Sequence, residues 1–476
     1  MSATTLTPAG TGQEPIPGPA QRPVGLPRTP RWWRDAAGAL TWGTMLVVVA
    51  LWVRGGGLQE LRTMTGALTA TGRLTGLVSA DLLLVQVLLM ARIPAVERSY
   101  GQDELARRHR LVGFWSFSLM WAHIGLIWLG YAAATRQGIW GTIVDVVVND
   151  PGMLLAVAGT LALCLVVVTS VRRARTRLRY ESWHLLHLYA YLGVGLALPH
   201  QLWTGQEFVG NRLATVFWWG LWGAAVVAIL CCRVGLPLSR TLRHRLYVAQ
   251  VRPEGPGATT VVVRGRDLHR LPVEAGQYFQ WRFLGNPGAS RAHPYSLSAA
   301  PDGQSLRITV AHVGDGSSGL PRLKVGSRVL LEGPYGRLHP GVRTRRKVLL
   351  MGSGIGVAPL RALFEALPQS TGDVTLVYRA HSGADLVLTD ELAALAAARG
   401  ARIFTVLGPR VAERPSWLPQ SAAHLRDVDA LRHLVPDLEH HDVYVCGNPE
   451  WIDLVVQAAR AGGVAQAHIH TERFAY

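Results

Sequence analysis

Residues 109–131 read HRLVGFWSFSLMWAHIGLIWLGY, and residues 184–200 read HLLHLYAYLGVGLALPH. Both belong to apolar stretches long enough to cross ~30 Å of hydrocarbon as a helix, yet both carry histidines. Ionisable side chains inside a span are costly and mark function. A single one is explained equally well by an interhelical hydrogen bond; four at matching depths are not. His109 and His123 are 14 residues apart, which puts them on one helical face about 21 Å apart. His187 and His200 are 13 residues apart, a rise of about 20 Å. Helices running the same way would bring His109 to His187 at one depth and His123 to His200 at another. That spacing suits two stacked bis-imidazole haems. Thirteen residues of ideal helix leave His187 and His200 roughly 140° apart in azimuth. The second stretch is therefore expected to be irregular or tilted, with Pro199 as the local break. His184 is a rival ligand with a worse rise, read as structural or as lying near a propionate.

Outward from these two stretches, further apolar runs recur at 36–53, 74–91, 152–171 and 213–232, making six spans in all. Across the whole chain 49% of residues are hydrophobic and only 17% charged, with a mean hydropathy of +0.19. That balance belongs to a membrane protein. Four cysteines without CxxC spacing exclude a zinc ribbon, a cysteine-ligated cluster and a disulfide framework. Residues 1–35, rich in Pro, Gly and Thr, read as a disordered tail without a signal peptide. The net charge of +17 is concentrated beside alternate span ends. Eighteen arginines flank one side, from Arg22 to Arg245, against Arg54, Arg62, Arg136 and Arg212 on the other. The positive-inside rule then places both termini in the cytoplasm and the protein in the cell membrane, and explains much of the charge without nucleic acid. Arg73 opens the second span on the outer side. An interfacial snorkelling cation and a partner for the outer haem or its acceptor are both open readings for it.

Beyond residue 236 no further 20-residue apolar run occurs, and the pattern turns to short strands, Gly-rich turns and amphipathic helices. Residues 244–340 read as a small antiparallel β-barrel with strands near 259–264, 278–283, 306–312 and 328–332. Within it, His293, Pro294, Tyr295 and Ser296 offer an imidazole for a phosphate, an aromatic ring to stack on a flavin and a hydroxyl for its reactive edge. The turn from Gly314 through Ser317 to Leu320 offers amides and hydroxyls to a pyrophosphate. Residues 345–476 alternate strand and helix. The strand at 347–351 runs into Gly352, Ser353, Gly354, Ile355, Gly356 and, three residues on, Pro359. There the backbone can approach a nucleotide phosphate at a helix N-terminus. The run lacks the full GxGxxG and the acidic residue of a standard dinucleotide fold. Arg379 ends the next strand, placed to pair with a 2′-phosphate. Gly447 ends the strand at 442–446, at the same carboxyl edge.

With these motifs in place, the chain after its tail resembles the membrane ferric reductase and NADPH oxidase family. The resemblance rests on the two histidine pairs, Gly276-Gln277-Tyr278, HPYS, GDGSSGL, EGPYG at 332–336, GSGIGVAP, YVCG at 444–447 and the terminal Glu472-Arg473-Phe474. It implies that His109, His123, His187 and His200 hold two b-type haems, with Arg73 near the outer one. It implies FAD on the barrel at Gln277, Tyr278, His293, Pro294, Tyr295, Ser296, Gly314 and Ser317. It implies NADPH, with NADH as a second donor, on the last domain at the 352–359 turn, Arg379, Cys446 and Gly447. Tyr295, Ser296, Cys446 and Phe474 then stand closest to hydride transfer, Phe474 as an aromatic cover for the flavin. Two residues, Ala475 and Tyr476, follow that Phe, a departure from the family pattern, and Tyr476 is its rival.

The expected fold is therefore a six-helix transmembrane bundle at 36–236, an antiparallel FAD barrel and an α/β nucleotide domain. The expected activity is transmembrane electron transfer from cytoplasmic NADPH to an extracytoplasmic acceptor, foremost ferric iron or a ferric chelate. Superoxide formation from oxygen, and donation to a partner protein, are the alternatives. The expected partners are the lipid bilayer and a small acceptor, not nucleic acid.

Overall fold

The computed structural model describes residues 32–135, 138–171, 180–205, 211–286, 291–367 and 371–473. The chain separates into two compact units that divide between Gly235 and Leu236.

The first unit is helical. Its long helices are α1 (Trp32–Arg54), α2 (Met64–Leu89), α3 (Gln102–Thr135), α4 (Met153–Ser170), α5 (Tyr180–Thr204) and α6 (Arg212–Ile229). α6 runs on through a π-helical turn, Leu230–Gly235, into α7 (Leu236–His244). Among the described residues, five helices are long and apolar enough to cross a membrane: α1, α2, α3, α4 and the segment Arg212–His244. α5 matches them in length, but His184, His187 and His200 make it more polar. Apolar side chains such as Leu40, Trp42 and Leu46 on α1 stand exposed, the outward face that lipid covers and water would not tolerate.

Several expected boundaries shift. Trp32–Asp35, assigned above to the tail, already belong to α1; the rest of that tail, 1–31, lies outside the described residues. α2 begins at Met64, so Arg73 sits inside the helix rather than opening it. α5 continues through Pro199 without ending there.

Small residues set how closely the helices approach. A Cβ at Gly72 would lie 3.0 Å from Ile127, and one at Gly130 would lie 2.5 Å from Thr69, which draws α2 onto α3. Gly159 and Gly193 each face the other's carbonyl, at 2.7 and 2.9 Å from an added Cβ, and so join α4 to α5. Ser79 and Ser116 exchange hydroxyl-to-carbonyl hydrogen bonds of 2.7 and 2.9 Å across α2 and α3.

The second unit contains two three-stranded antiparallel sheets and one parallel sheet. β1 (Tyr247–Pro253), β2 (Ala258–Arg264) and β5 (Ser305–Ala311) form the first sheet. β4 (His293–Ser296), β3 (Tyr278–Phe283) and β6 (Val329–Tyr335) form the second. Isolated bridges at Tyr247–Arg328 and Leu297–Ile308 stitch them around one core that includes Val261, Phe279, Trp281 and Leu331. The expected single barrel is thus two bridged sheets. β1, absent from the sequence reading, pairs with β2, and the HPYS run, read as a motif, is itself a strand.

The parallel sheet has the order β11 (Ile469–Arg473), β10 (His441–Gly447), β7 (Lys347–Ser353), β8 (Val374–Ala380), β9 (Arg402–Leu407). The chain starts at β7, builds outward on one side and then returns to the other. The switch point lies between β7 and β10, and there the carboxyl ends open a crevice. Asp442, fully buried at the foot of β10, accepts hydrogen bonds from the Thr344 and Arg345 amides at 2.6 and 2.7 Å. Burial alone would push its carboxyl up, but bonds from His470 and these amides hold it well below the ordinary carboxylate range. A depressed carboxyl stabilises the fold above its unfolded value, about pH 4, and loses that contribution as pH falls through its folded value. Asp442→Asn is expected to cost about 2–3 kcal/mol at pH 7. The gap to the wild type should narrow below about pH 4, measured by thermal unfolding in detergent across pH.

Candidate functional site

The four intramembrane histidines lie on α3 and α5. The His109 and His187 rings face each other with centroids 6.0 Å apart and planes inclined by 58°. An imidazole nitrogen binds a metal at about 2.0–2.1 Å, so two rings that share one metal have centroids roughly 6 Å apart. His109 Nδ1 lies 3.1 Å from the Gln86 carbonyl, and His123 Nδ1 lies 2.8 Å from the Gly72 carbonyl. A carbonyl only accepts, so each of these rings carries its proton on Nδ1 and leaves Nε2 bare for a metal. His187 Nδ1 is tied to Ser170 Oγ at 3.2 Å, and its ring packs on Trp183 with centroids 5.0 Å apart. His200 and His123 interact electrostatically. α5 therefore brings His187 to His109 while continuing through Pro199, without the expected break. Gly152, at φ +83°, packs on the backbone of Pro199 and His200.

Sequence reasoning missed Gly76. A Cβ there would lie 2.5 Å from His123 Nδ1, so the glycine makes the space that ring occupies. Gly76→Val should displace His123; were each histidine pair to hold a haem, haem content would fall to about half, as read by the pyridine haemochrome assay per chain. Arg73, offered above to the outer haem, forms an ion pair with Glu60 at 2.8 Å. Its cation is thus anchored to the segment just before α2.

In the antiparallel sheets, Tyr278 and Ser296 are cross-strand partners, and the Tyr278 and Tyr335 rings lie 5.7 Å apart. Among the described residues, Ser296 Oγ and Gln277 Nε2 are buried without hydrogen-bond partners, so both are available to a bound group. The His293 and Tyr295 rings stack with centroids 5.7 Å apart, next to the exposed Pro294. Burial pushes the Tyr295 phenol far above its ordinary value, so it stays protonated. An added Cβ at Gly316 would meet His293 at 2.2 Å, which places that imidazole over the 314–319 turn. Ser317 turns inward, however: its Oγ accepts from the Val313 and Gly314 amides at 3.0 and 3.1 Å. It shapes the loop and consumes the Gly314 amide expected to meet a phosphate.

At the carboxyl edge of the parallel sheet, a cavity of about 670 Å³ is lined by Ser353, Ile355, His381, Arg410, Asn448 and Trp451, among others. Gly354 takes φ +54°, and a Cβ at Gly356 would lie 2.3 Å from the Cys446 carbonyl. Only glycine lets this turn close onto β10. Gly352 pairs with Cys446 across β7 and β10, Pro359 is buried in the following helix, and Gly447 is at φ +158°. Cys446 is fully buried, and burial pushes its thiol up, so it is a neutral thiol rather than a nucleophile. Its partner across β10 and β11 is Glu472, whose carboxylate approaches Gly336 beside Tyr278.

Arg379 corrects the sequence reading. It is only 4% exposed, and its guanidinium donates to the carbonyls of Trp417, Ala380, Val406 and Gly408. A cation so enclosed holds strand ends together. Among the described residues, Arg379 and the more exposed Arg410 both line this crevice, and no motif marked Arg410. Phe474 and Tyr476 lie outside the described residues.

Two family models match the chain. The one described as ferric reductase like transmembrane component covers residues 75–198, and the oxidoreductase NAD-binding domain covers residues 350–457. The chain has the architecture of the membrane ferric reductase and NADPH oxidase family. It is an NAD(P)H-dependent oxidoreductase of the membrane. Ferredoxin–NADP reductase B of Sorangium cellulosum is 29% identical over 234 residues, covering 47% of this chain and 94% of that protein. The toluate 1,2-dioxygenase electron transfer component of Pseudomonas putida is 28% identical over 237 residues, covering 49% and 68%. Among solved structures, the FAD/NAD-binding domain of nitric oxide dioxygenase from Vibrio cholerae is 27% identical with a TM-score of 0.39, covering 49% of this chain and 99% of that one.

Proposed function

We propose that this ferric-reductase-like chain moves electrons from cytoplasmic NADPH across the membrane to an extracytoplasmic acceptor, ferric iron or a ferric chelate. The observation that carries the reading is the facing of His109 and His187 at 6.0 Å, with the His109 proton fixed on the far nitrogen. α5 is the sixth span in this reading, its polarity arising from the histidines that give it its purpose. Both termini lie on the Arg-rich cytoplasmic side, and the domains divide at 36–236, 244–340 and 345–476.

Two b-type haems would be held by His109 with His187 and by His123 with His200, and would supply one-electron carriers. FAD would rest against Gln277, Tyr278, His293, Pro294, Tyr295, Ser296 and the 314–317 turn, and would supply the conversion of a hydride into single electrons. The chain's own residues do the rest. The 352–359 turn and Gly447 receive the nucleotide at the switch point. Ser296 presents a buried hydroxyl without a competing partner. Cys446 stays a neutral thiol, so it does not act as a nucleophile toward the nicotinamide. Tyr295 serves as an aromatic surface rather than a base.

The test is purified protein in sealed vesicles with NADPH inside and acceptor outside. Anaerobic iron reduction, with no superoxide under air, is the expected result. Dye reduction sensitive to superoxide dismutase would move the assignment to an oxidase, and activity only with an added protein acceptor would make the chain an electron-donating subunit. Haem content should be two per chain; one per chain sinks the four-histidine reading.

A further inference from the structure

Asp81 is a carboxyl inside the membrane unit that the electron path does not use. It lies on α2, fully buried, amid a cluster that includes Val48, Leu84, Ala214 and Trp218. Among the described residues no cation pairs with it, and its Oδ1 has no hydrogen-bond partner. Its one polar neighbour is Thr44 on α1, whose Oγ1 lies 3.3 Å from Asp81 Oδ2. The Thr44 hydroxyl has a single proton, and its shorter bond, 2.9 Å, goes to the Thr41 carbonyl. Asp81 Oδ2 accepts only the longer, 3.3 Å share of that hydroxyl, so the buried carboxyl is poorly satisfied. An unpaired carboxylate in such surroundings is expensive, whereas the acid form is tolerated.

Its position is specific. Along α2, Gly76 touches the His123 ring and Gln86 binds the His109 ring. Asp81 is five residues from each, so it stands about 7.5 Å along the axis from either level, on a face turned roughly 140° away. α1 offers Thr44 and Val48 to this face, and α6 offers Ala214 and Trp218; none of them titrates. The titratable groups of α3 packed on α2, His109 and His123, lie on the far side.

We infer that Asp81 is a proton-binding site at mid-depth whose occupancy follows the charge carried between the paired histidines. The coupling to electrons rests on the electron-transfer reading above; the proton site itself does not. Positive charge held between the histidines favours the carboxylate, and one added electron cancels it and favours the acid. One electron held between the histidines is matched by one proton taken up from the aqueous phase, which converts –COO⁻ to –COOH; a second electron finds the carboxyl already neutral. The proton returns to water when the electron leaves. Access runs along α1, where Thr44 and Thr41 stand one turn apart and the Thr41 hydroxyl bonds the Ala37 carbonyl at 3.0 Å. This lowers the charge barrier to placing electrons inside a low-dielectric bundle.

The test is infrared difference spectroscopy on the full-length, cofactor-loaded protein in lipid nanodiscs. In the pH arm, a protonated-carboxyl band that shifts in D₂O should titrate with one proton, vanish in Asp81→Asn and move in Thr44→Val, which keeps the carboxyl but removes its hydroxyl partner. In the redox arm, NADPH reduction should increase the same band in the wild type only. A carboxyl band unchanged by Asp81→Asn, or a wild-type band fixed across pH, overturns the proton site. A band that titrates but ignores reduction overturns the coupling alone. Should the protein prove to bind no haem, the electron-transfer reading fails and the pH arm still decides the proton site.

Discussion

His187→Ala leaves NADPH able to reduce the flavin half while electron delivery to an external acceptor falls by more than roughly 100-fold, because removing a ligating imidazole costs more than the ~10–100-fold lost with a group that only orients one. The ring faces His109 at 6.0 Å, so its removal leaves one imidazole where two are needed. Haem content should drop, and the remaining spectrum should lose its low-spin character at one level only. Ser170→Ala removes just the 3.2 Å contact that orients His187, and a loss of about 10-fold is expected. Stopped-flow reduction of flavin and haem bands separates the two cases. If His187→Ala retained both haems and full transfer, His184 would be the next ligand to examine.

The second large effect concerns Arg379. Its guanidinium satisfies four carbonyls at the ends of β8 and β9 and in the 408–417 loop. Arg379→Ala orphans these acceptors, and at about 1.5–3 kcal/mol per charged hydrogen bond the loss is about 3 kcal/mol or more even after relaxation. The expected outcome is a lower unfolding midpoint and poor recovery of protein, rather than a selective rise in KM for NADPH. Arg410→Ala should do the reverse. Its side chain is 48% exposed and, among the described residues, forms an ion pair with the exposed Glu450 at 3.8 Å. Stability should hold within about 0.5 kcal/mol while KM for NADPH rises and KM for NADH does not. Thermal unfolding beside steady-state kinetics with both nucleotides distinguishes the two roles.

Why one arginine was legible and the other was not is a matter of range. Arg379 follows a strand in sequence, and strand ends are local. Its enclosure depends on Val406, Gly408 and Trp417, up to 38 residues away, which no local pattern encodes. Spans were legible because hydropathy is summed over 20 residues, and the histidine levels because helical rise is constant. Where packing decides, the reading failed. Arg73 was placed at a helix start that lies nine residues earlier. Ser317 was assigned to a ligand but bonds its own loop. Gly76 and Asp81 fell in an apolar run, and only contact with His123 and Thr44 gives them meaning. The motif HPYS was read for its chemistry alone and missed as a strand, since a proline beside short polar residues resembles a turn.

The close crossings of Gly72 and Gly130, and of Gly159 with Gly193, sort the bundle into two hairpins, α2 with α3 and α4 with α5. One hairpin owns His109 and His123; the other owns His187 and His200. Each haem proposed between these histidines would therefore join one hairpin to the other, never a hairpin to itself. The prosthetic groups would act as rivets between two prefabricated halves. Newly inserted chain would then remain a loosely hinged precursor until loading, and a cell short of haem would accumulate a form exposed to membrane proteases.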